Sequence, residues 1–376
     1  MKKHLFLKLS DVNFYCLLIG EKIMSDKKQR IGIIGAGWWA AVMHIPTLAD
    51  NPSAEIAGIC ATDPSALKKL QDEFDISYAV TDYRQLLSEL DLDGVIISSP
   101  HIFHYEHAKA SLEAGCHILV EKPFTTNSKE AKDLVDLAAK KNLNLNISHG
   151  WNYMPIAEKA LKLMRADLIG EFQHAAIQLA SPTSDLMHGK GLSLAKDALL
   201  TPLASTWADP AKAGGYGWGQ LTHLLGLFFK LVDEAPKQVF AFTSNSESGV
   251  DYYNSINMRL ENGATCSISG SSNMPAAFAK FQVDLKIFGS KGNLMIDLEP
   301  GRERVLVETF SGETHKEEIK EGDGEYDGTT PANFLVDICA GQNSEDMAPG
   351  IVGYRSVCVV EAMLESSKSG NVVNLS

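Results

Sequence analysis

The stretch IGIIGAGWWA, residues 31–40, limits what this chain can fold into more than any other ten residues. A β-rich run delivers Gly35 and Gly37, and a helix-compatible segment follows with Ala40 at the third small position. Glycines at this spacing, after a strand and before a helix, predict a tight turn whose backbone approaches a dinucleotide pyrophosphate. Gly35 makes the turn, Gly37 leaves room for the phosphates, and Ala40 lets helix and strand pack closely. The phosphates then meet the free amides of the helix start, where Trp38 and Trp39 stand. The glycine spacing alone is a weak signal, and its strand–turn–helix context gives it weight.

The surrounding pattern supports that context. IGIIG, EIAGIC, GVIISS, HILVE and LNLNIS alternate with helical stretches such as PSALKKLQDEF and SKEAKDLVDLAAKKN. Repeated units of this kind predict an α/β fold, a parallel sheet with helices on both faces. This N-terminal Rossmann dinucleotide-binding domain is expected over 30–149. The second half reads as an α+β domain over 150–376. FQHAAIQLA is followed by a long Ser/Pro/Gly-bearing stretch over 181–217, then by two hairpins. One turns at ENG and the other at GSKGN, and both predict antiparallel pairing. NFLVDICAG and IVGYRSVCVVEAMLESSKSG close the chain as helices. Two domains suit 376 residues, because single cores stop growing near roughly 250–300 residues.

A net charge of −13 argues against nucleic acid or an anionic membrane surface as partner. No apolar run reaches the ~18 residues of a membrane span. Cys16, Cys60, Cys116, Cys266, Cys339 and Cys358 are scattered, which suits reduced thiols in a cytoplasm better than a disulfide framework. Residues 1–29 resemble a signal peptide at a glance. Asp11 interrupts the apolar stretch and no small-residue cleavage site follows, so a loose extension or an early start codon is the preferred reading.

After the second strand, the position that usually carries an acid for the adenosine ribose is Ala61, followed by Thr62 and Asp63. Lack of a carboxylate there tilts the cofactor slightly toward NADP, with Lys68 or Lys69 in reach, whereas an inward Asp63 restores NAD. Ser98, Ser99 and Pro100 end another strand at the ligand-binding edge of the sheet. His101, His104 and His107 follow at spacing three. With no acid or thiol beside them no metal is expected, and His104 is read as a cofactor-side residue. HILVEKPFT then brings Glu121 and Lys122 to a strand end. Pro123 keeps Lys122 out of helical geometry, so its ammonium can aim at cofactor and substrate.

These residues together resemble the glucose–fructose oxidoreductase, inositol dehydrogenase and rhizopine-catabolism (Gfo/Idh/MocA) family. GAGWWA, SSPHIFH and EKP carry the likeness in the first half. TWADPAKAGG, the region around His223, LENGAT and MLESSKSGNVVNL extend it through the second. The resemblance implies a nicotinamide-binding Rossmann domain and an open-faced sheet domain that often mediates homo-oligomers. It implies a catalytic lysine at Lys122 and a catalytic histidine at His223. The family's acid four residues before that histidine is missing, because Gly219 stands there. Gln220, Thr222, Asp209 and Asp251 are the candidates to replace it.

The glycines of AGGYGWGQLTHLLG are expected to let the chain run close under a substrate. His149, Trp151 and Asn152 fall at the domain junction, and asparagine at 152 suits a neutral, hydroxyl-rich ligand. Trp151, Trp207, Tyr216 and Trp218 offer flat faces to a sugar ring, and Gln220 offers hydrogen bonds. The expected activity is NAD(P)-dependent oxidation or reduction of a sugar, inositol or related polyol in the cytoplasm. The alternatives are an NAD-dependent glycosidase working by transient oxidation and elimination, and a non-catalytic sensor.

Overall fold

The computed structural model describes residues 27–192, 195, 197–274, 281–299, 301–342 and 346–375. Most of the expected N-terminal extension, and Cys16 with it, lies outside the described residues. Six short strands form the first sheet: β1 (Gln29–Ile34), β2 (Ala54–Cys60), β3 (Ala79–Val80), β4 (Gly94–Ile97), β5 (His117–Val120) and β6 (Leu145–Ile147). They are parallel in the order β3-β2-β1-β4-β5-β6. Ile31, Ile33, Val95, Ile96, Ile118 and Leu119 are all buried, as both faces of such a sheet require. The connecting helices are α1 (Ile45–Asp50), α2 (Pro64–Phe74), α3 (Tyr83–Glu89), α4 (His104–Glu113) and α5 (Ser128–Lys141). A wider helical turn at Ala40–His44 leads into α1. This is the Rossmann strand order, and its direction reverses between β1 and β4. The ends of those two strands therefore fix where a dinucleotide can lie.

After α6 (Pro155–Arg165) the chain enters a second sheet. Its strands are β7 (Phe172–Ala180), β8 (Pro236–Asn245), β9 (Asp251–Leu260), β10 (Thr265–Ser271), β11 (Gln282–Gly289), β12 (Gly292–Asp297), β13 (Arg304–Thr309), β14 (Thr314–Glu317) and β15 (Val373–Asn374). Within it β7 and β10 pair parallel, and every other pair is antiparallel. Both expected hairpins form, β9 with β10 and β11 with β12. Along β9, buried Ile256, Met258 and Leu260 alternate with exposed Ser255, Asn257 and Arg259. That alternation leaves one face of the sheet open.

The segment between β7 and β8 holds α7 (Ser184–Met187), α8 (Ala204–Trp207) and α9 (Thr222–Leu231). The last helices are α10 (Thr330–Cys339) and α11 (Gly350–Ser369). α6 and α9 cover the inner face of the second sheet, while α10 returns to pack on β1, β4 and β5 of the first. α11 spans both, touching α5 and β6 on one side and β8 and α9 on the other. One hydrophobic core consequently runs from Val95 and Val120 through Leu224 and Phe228 to Val283 and Val307.

Candidate active site

Gly35 has φ +89°, and a Cβ there would come within 2.2 Å of the Ser99 backbone. The chain turns this sharply because the amides of Gly35 and Ala36 both donate to the Cys60 carbonyl, at 2.8 and 2.9 Å. Gly37 is different. It is exposed, and a Cβ there would meet only the Gly35 oxygen at 3.9 Å. Trp38 and Trp39 open the following helix, whose first amides have no partner within it. Ala40 is fully buried against Ile31 and Ile33, as close packing demands. Open space at Gly37 beside a helix start fits a pyrophosphate.

Ala61 and Thr62 follow β2 directly. The Asp63 carboxylate is taken up as the cap of α2, accepting from the Ser65 amide at 2.8 Å. Lys68 is ion-paired with Asp72 one turn on. At the end of β4, Ser98 donates its amide to Ile34, and the Ser99 hydroxyl lies 2.9 Å from Nδ1 of His107. Pro100 is exposed at the start of the turn that follows. His104 is fully buried, with its ring nitrogens 2.7 Å from the carbonyl oxygens of Pro123 and Ser99. It ties the two strand ends together and leaves no nitrogen for a cofactor. His101 contacts the Ala213 carbonyl at 2.9 Å. Burial, joined by His104, pushes His101 down to about 3 and His107 to about 4, so both rings stay neutral. Among the described residues no cluster of His, Cys, Asp and Glu could hold a metal.

Glu121 is a buried hub. Its Oε1 accepts from Trp39 Nε1 and contacts His44 Nε2, both at 2.9 Å, and its Oε2 accepts from the Lys122 amide at 3.2 Å. The cofactor loop and the lysine are thereby tied to one carboxylate. Burial raises the Glu121 pKa, but His44 and the Lys122 charge outweigh it and hold the carboxyl at about 2. A depressed carboxyl contributes stability above its ordinary value of 4.5 and loses it as pH falls toward 2. Glu121→Gln is expected to destabilise the protein by on the order of 3 kcal/mol at pH 7. Urea unfolding of both proteins should show that gap closing as pH falls through that window. A gap independent of pH would mean the charge contributes nothing.

Lys122 is partly buried, and its Nζ donates to the Gly219 carbonyl at 2.9 Å. It also lies 5.2 Å from the ring centroid of Trp207. Burial lowers its pKa, and the neighbouring Glu121 only partly offsets that. Gly219 belongs to a wide helical turn, Gly217–Leu221, that runs into α9 and places His223 one turn further on. His223 is 3% exposed, and burial, Lys122 and His149 together hold its pKa well below the ordinary range. It is a neutral imidazole near pH 7 and can accept a proton.

Among the described residues, none of the four candidate replacements for the missing acid is hydrogen-bonded to His223. Asp251 accepts from the Gly217 amide and from Asn254, both at 2.7 Å. Asp209 caps the Pro210–Lys212 turn, and the Thr222 hydroxyl donates to the Trp218 carbonyl. The Gln220 Oε1 is buried without a hydrogen-bond partner among the described residues. Two glycines of this stretch make room for neighbouring side chains of the protein itself. A Cβ at Gly219 would lie 2.3 Å from the Trp207 ring, and one at Gly226 would lie 2.5 Å from His149. The volume at 219 is filled by indole.

His149, Trp151 and Tyr326 surround His223, with ring centroids 6.4, 5.7 and 5.1 Å away. Tyr326 also touches Trp39 at 6.5 Å and Phe281 at 5.7 Å, which joins the loop before α10 to the cofactor helix. Sequence reading missed His44, Phe281 and Tyr326. The only signals were a histidine in the core-facing run AAVMHIP and one aromatic in the polar loop EGDGEYDGTT. Asn152 is fully buried, its side-chain Nδ2 donating to the Gly226 carbonyl at 3.0 Å while its backbone carbonyl accepts from Lys230 at 2.8 Å. It braces α9. Trp218 and Tyr216, read from sequence as sugar platforms, are packed into the hydrophobic core instead. Around His223, several buried atoms have no hydrogen-bond partner among the described residues. They are both ring nitrogens of His149, Trp151 Nε1, Asn152 Oδ1, Gln220 Oε1 and His223 Nδ1.

Residues 29–149 match an oxidoreductase family with an NAD-binding Rossmann fold, and residues 158–295 match the GFO/IDH/MocA C-terminal domain. The chain belongs to the GFO/IDH/MocA family. A dTDP-3,4-didehydro-2,6-dideoxy-alpha-D-glucose 3-reductase of Saccharopolyspora spinosa is 25% identical, covering 92% of this chain and 99% of the relative. A D-xylose 1-dehydrogenase (NADP(+)) of Haloferax volcanii is 22% identical over the same shares of the two chains. Among solved structures, levoglucosan dehydrogenase in complex with NADH and levoglucosan superposes with a TM-score of 0.73. It shares 20% identity, covering 93% of this chain and 99% of that one. As a GFO/IDH/MocA member the chain is an NAD-binding oxidoreductase, an enzyme of the dehydrogenase/reductase kind. No helix among the described residues is long and apolar enough to cross a membrane.

Proposed function

We propose that this enzyme interconverts an alcohol and a carbonyl on a neutral sugar, inositol or related polyhydroxy compound. When bound, the nicotinamide cofactor supplies the hydride donor or acceptor. His223, neutral and buried, takes the hydroxyl proton on a ring nitrogen during oxidation and returns it during reduction. Lys122 Nζ, fixed on the Gly219 carbonyl, still has N–H groups to steady the charge that develops on the substrate oxygen. Glu121 keeps the lysine and Trp39 in register, and the rings of Tyr326 and Trp151 pack against His223.

One observation carries this reading: unpaired buried polar atoms crowd around a lysine–histidine pair. Each unpaired polar atom costs roughly 1–3 kcal/mol, which hydroxyl groups of a bound substrate offset. Apart from the Lys122 ammonium, the polar groups round His223 are neutral imidazole, indole and amide, a set that suits hydroxyls. For the cofactor, Ala61 brings no carboxylate to the ribose and Asp63 is committed to its cap. These features favour NADP slightly and leave NAD open. A cytoplasmic homo-oligomer in contact through the open sheet face belongs to the same proposal. Turnover of neutral sugars and inositols, compared with their phosphate esters and acids under each cofactor, tests the reading.

A further inference from the structure

Trp207 ends α8 in the long segment between β7 and β8, yet its indole stands beside the reactive lysine. Its ring centroid is 5.2 Å from Lys122 Nζ, and on another side the ring meets the edge of His101 at 5.8 Å. Backbone clamps it. The Trp207 carbonyl accepts from the Gly215 amide at 2.9 Å, and a Cβ at Gly214 would come within 2.5 Å of that oxygen. At Gly219 a Cβ would come within 2.3 Å of the ring itself. The indole thus excludes any side chain from position 219, and the carbonyl of that same residue holds Lys122.

We propose that Trp207 is the positioning residue of Lys122, its indole face holding the ammonium against the Gly219 carbonyl where no carboxylate is present. The inference rests on Lys122 being the group that steadies the substrate oxygen. A ring face attracts a cation through its quadrupole without accepting a strong hydrogen bond. One of the three N–H groups goes to the Gly219 carbonyl and the others stay free for the substrate. A carboxylate at 219 would compete for them. The other groups that feel the Lys122 charge are Glu121, from its own strand end, and His101, His104, His149 and His223. Burial holds those four histidines below their ordinary range. Glu121 and the Trp207 ring are therefore what favours the charged lysine.

The test uses the full chain with saturating cofactor and its best neutral substrate. Trp207→Leu keeps apolar bulk and removes the ring face, while Trp207→Phe keeps a weaker one. Trp207→Leu is expected to lower kcat by about 2–30-fold, and Trp207→Phe by less. The basic limb of the kcat–pH profile should move to lower pH in Trp207→Leu, because Lys122 stays partly buried but loses the ring face that favours its charged form. Equal kcat and an unmoved basic limb in both variants overturn the proposal if Lys122→Ala is inactive. Full activity of Lys122→Ala instead removes the reading on which the proposal rests. Where Trp207→Leu no longer binds cofactor, Trp207→Phe and Trp207→Tyr decide. A lowered kcat together with a basic limb moved to lower pH supports the holding role, and both at the parent values overturn it.

Discussion

Lys122→Ala is expected to lower kcat by about 10²-fold or more, and His223→Ala by a similar factor, the usual scale for lost acid–base or oxyanion help. Both residues are tied to one short stretch of chain: Lys122 Nζ rests on the Gly219 carbonyl, and His223 follows that glycine one turn later. Losing either leaves the other unable to handle both the proton and the developing charge. Lys122→Arg should not restore activity. A planar guanidinium is too large for the slot between the Gly219 carbonyl and the Trp207 ring, and it presents a different donor geometry. Cofactor binding should stay near that of the parent protein in Lys122→Ala, and the protein should still fold, with some stability lost because the buried Glu121 carboxylate loses a neighbouring charge. Full kcat in either alanine variant would take that residue out of the mechanism.

Gly37→Val is expected to abolish cofactor binding while the protein still folds. A side chain at 37 projects into open space beside the helix start, where a pyrophosphate has to lie. Gly35→Ala is the contrasting variant. There the new Cβ would lie 2.2–2.5 Å from the Ser98–Ser99 backbone at φ +89°, so the fold itself pays, by several kcal/mol on the usual scale of core clashes and left-handed strain. Calorimetry with NAD and NADP, paired with thermal unfolding, separates the two. Normal cofactor affinity in Gly37→Val would place the dinucleotide elsewhere.

The cofactor half was legible because its determinants are local. A turn that needs Gly35, a strand run of isoleucines and a helix opening at Trp38 lie within ten residues, and the order of βα units follows from them. The hairpins β9–β10 and β11–β12 were legible for the same reason, since alternation and turn chemistry are properties of neighbours in sequence. The substrate side was legible in its residue types and not in its contacts. Lys122, His149, Trp151 and His223 do converge. What holds them there is set by pairs distant in sequence: Lys122 with Gly219, Trp39 and His44 with Glu121, Tyr326 with His223. No local pattern announces such pairs. Gly219 is the clearest instance, because its sequence meaning was an absent acid, whereas its structural meaning is an indole packed against it. Trp218 shows the opposite limit, since an aromatic in a glycine-rich stretch reads alike whether it faces a ligand or a core.

In the proposed function, Lys122 and His223 carry net oxidation or reduction of a neutral polyhydroxy substrate. Purified protein incubated with NAD or NADP and a panel of sugars and inositols, followed by absorbance of the reduced cofactor, tests it most directly. Reduced cofactor is expected to accumulate in step with oxidised sugar for at least one neutral compound, and not to accumulate with Lys122→Ala. Release of an aglycone from a glycoside with no net reduced cofactor would contradict it.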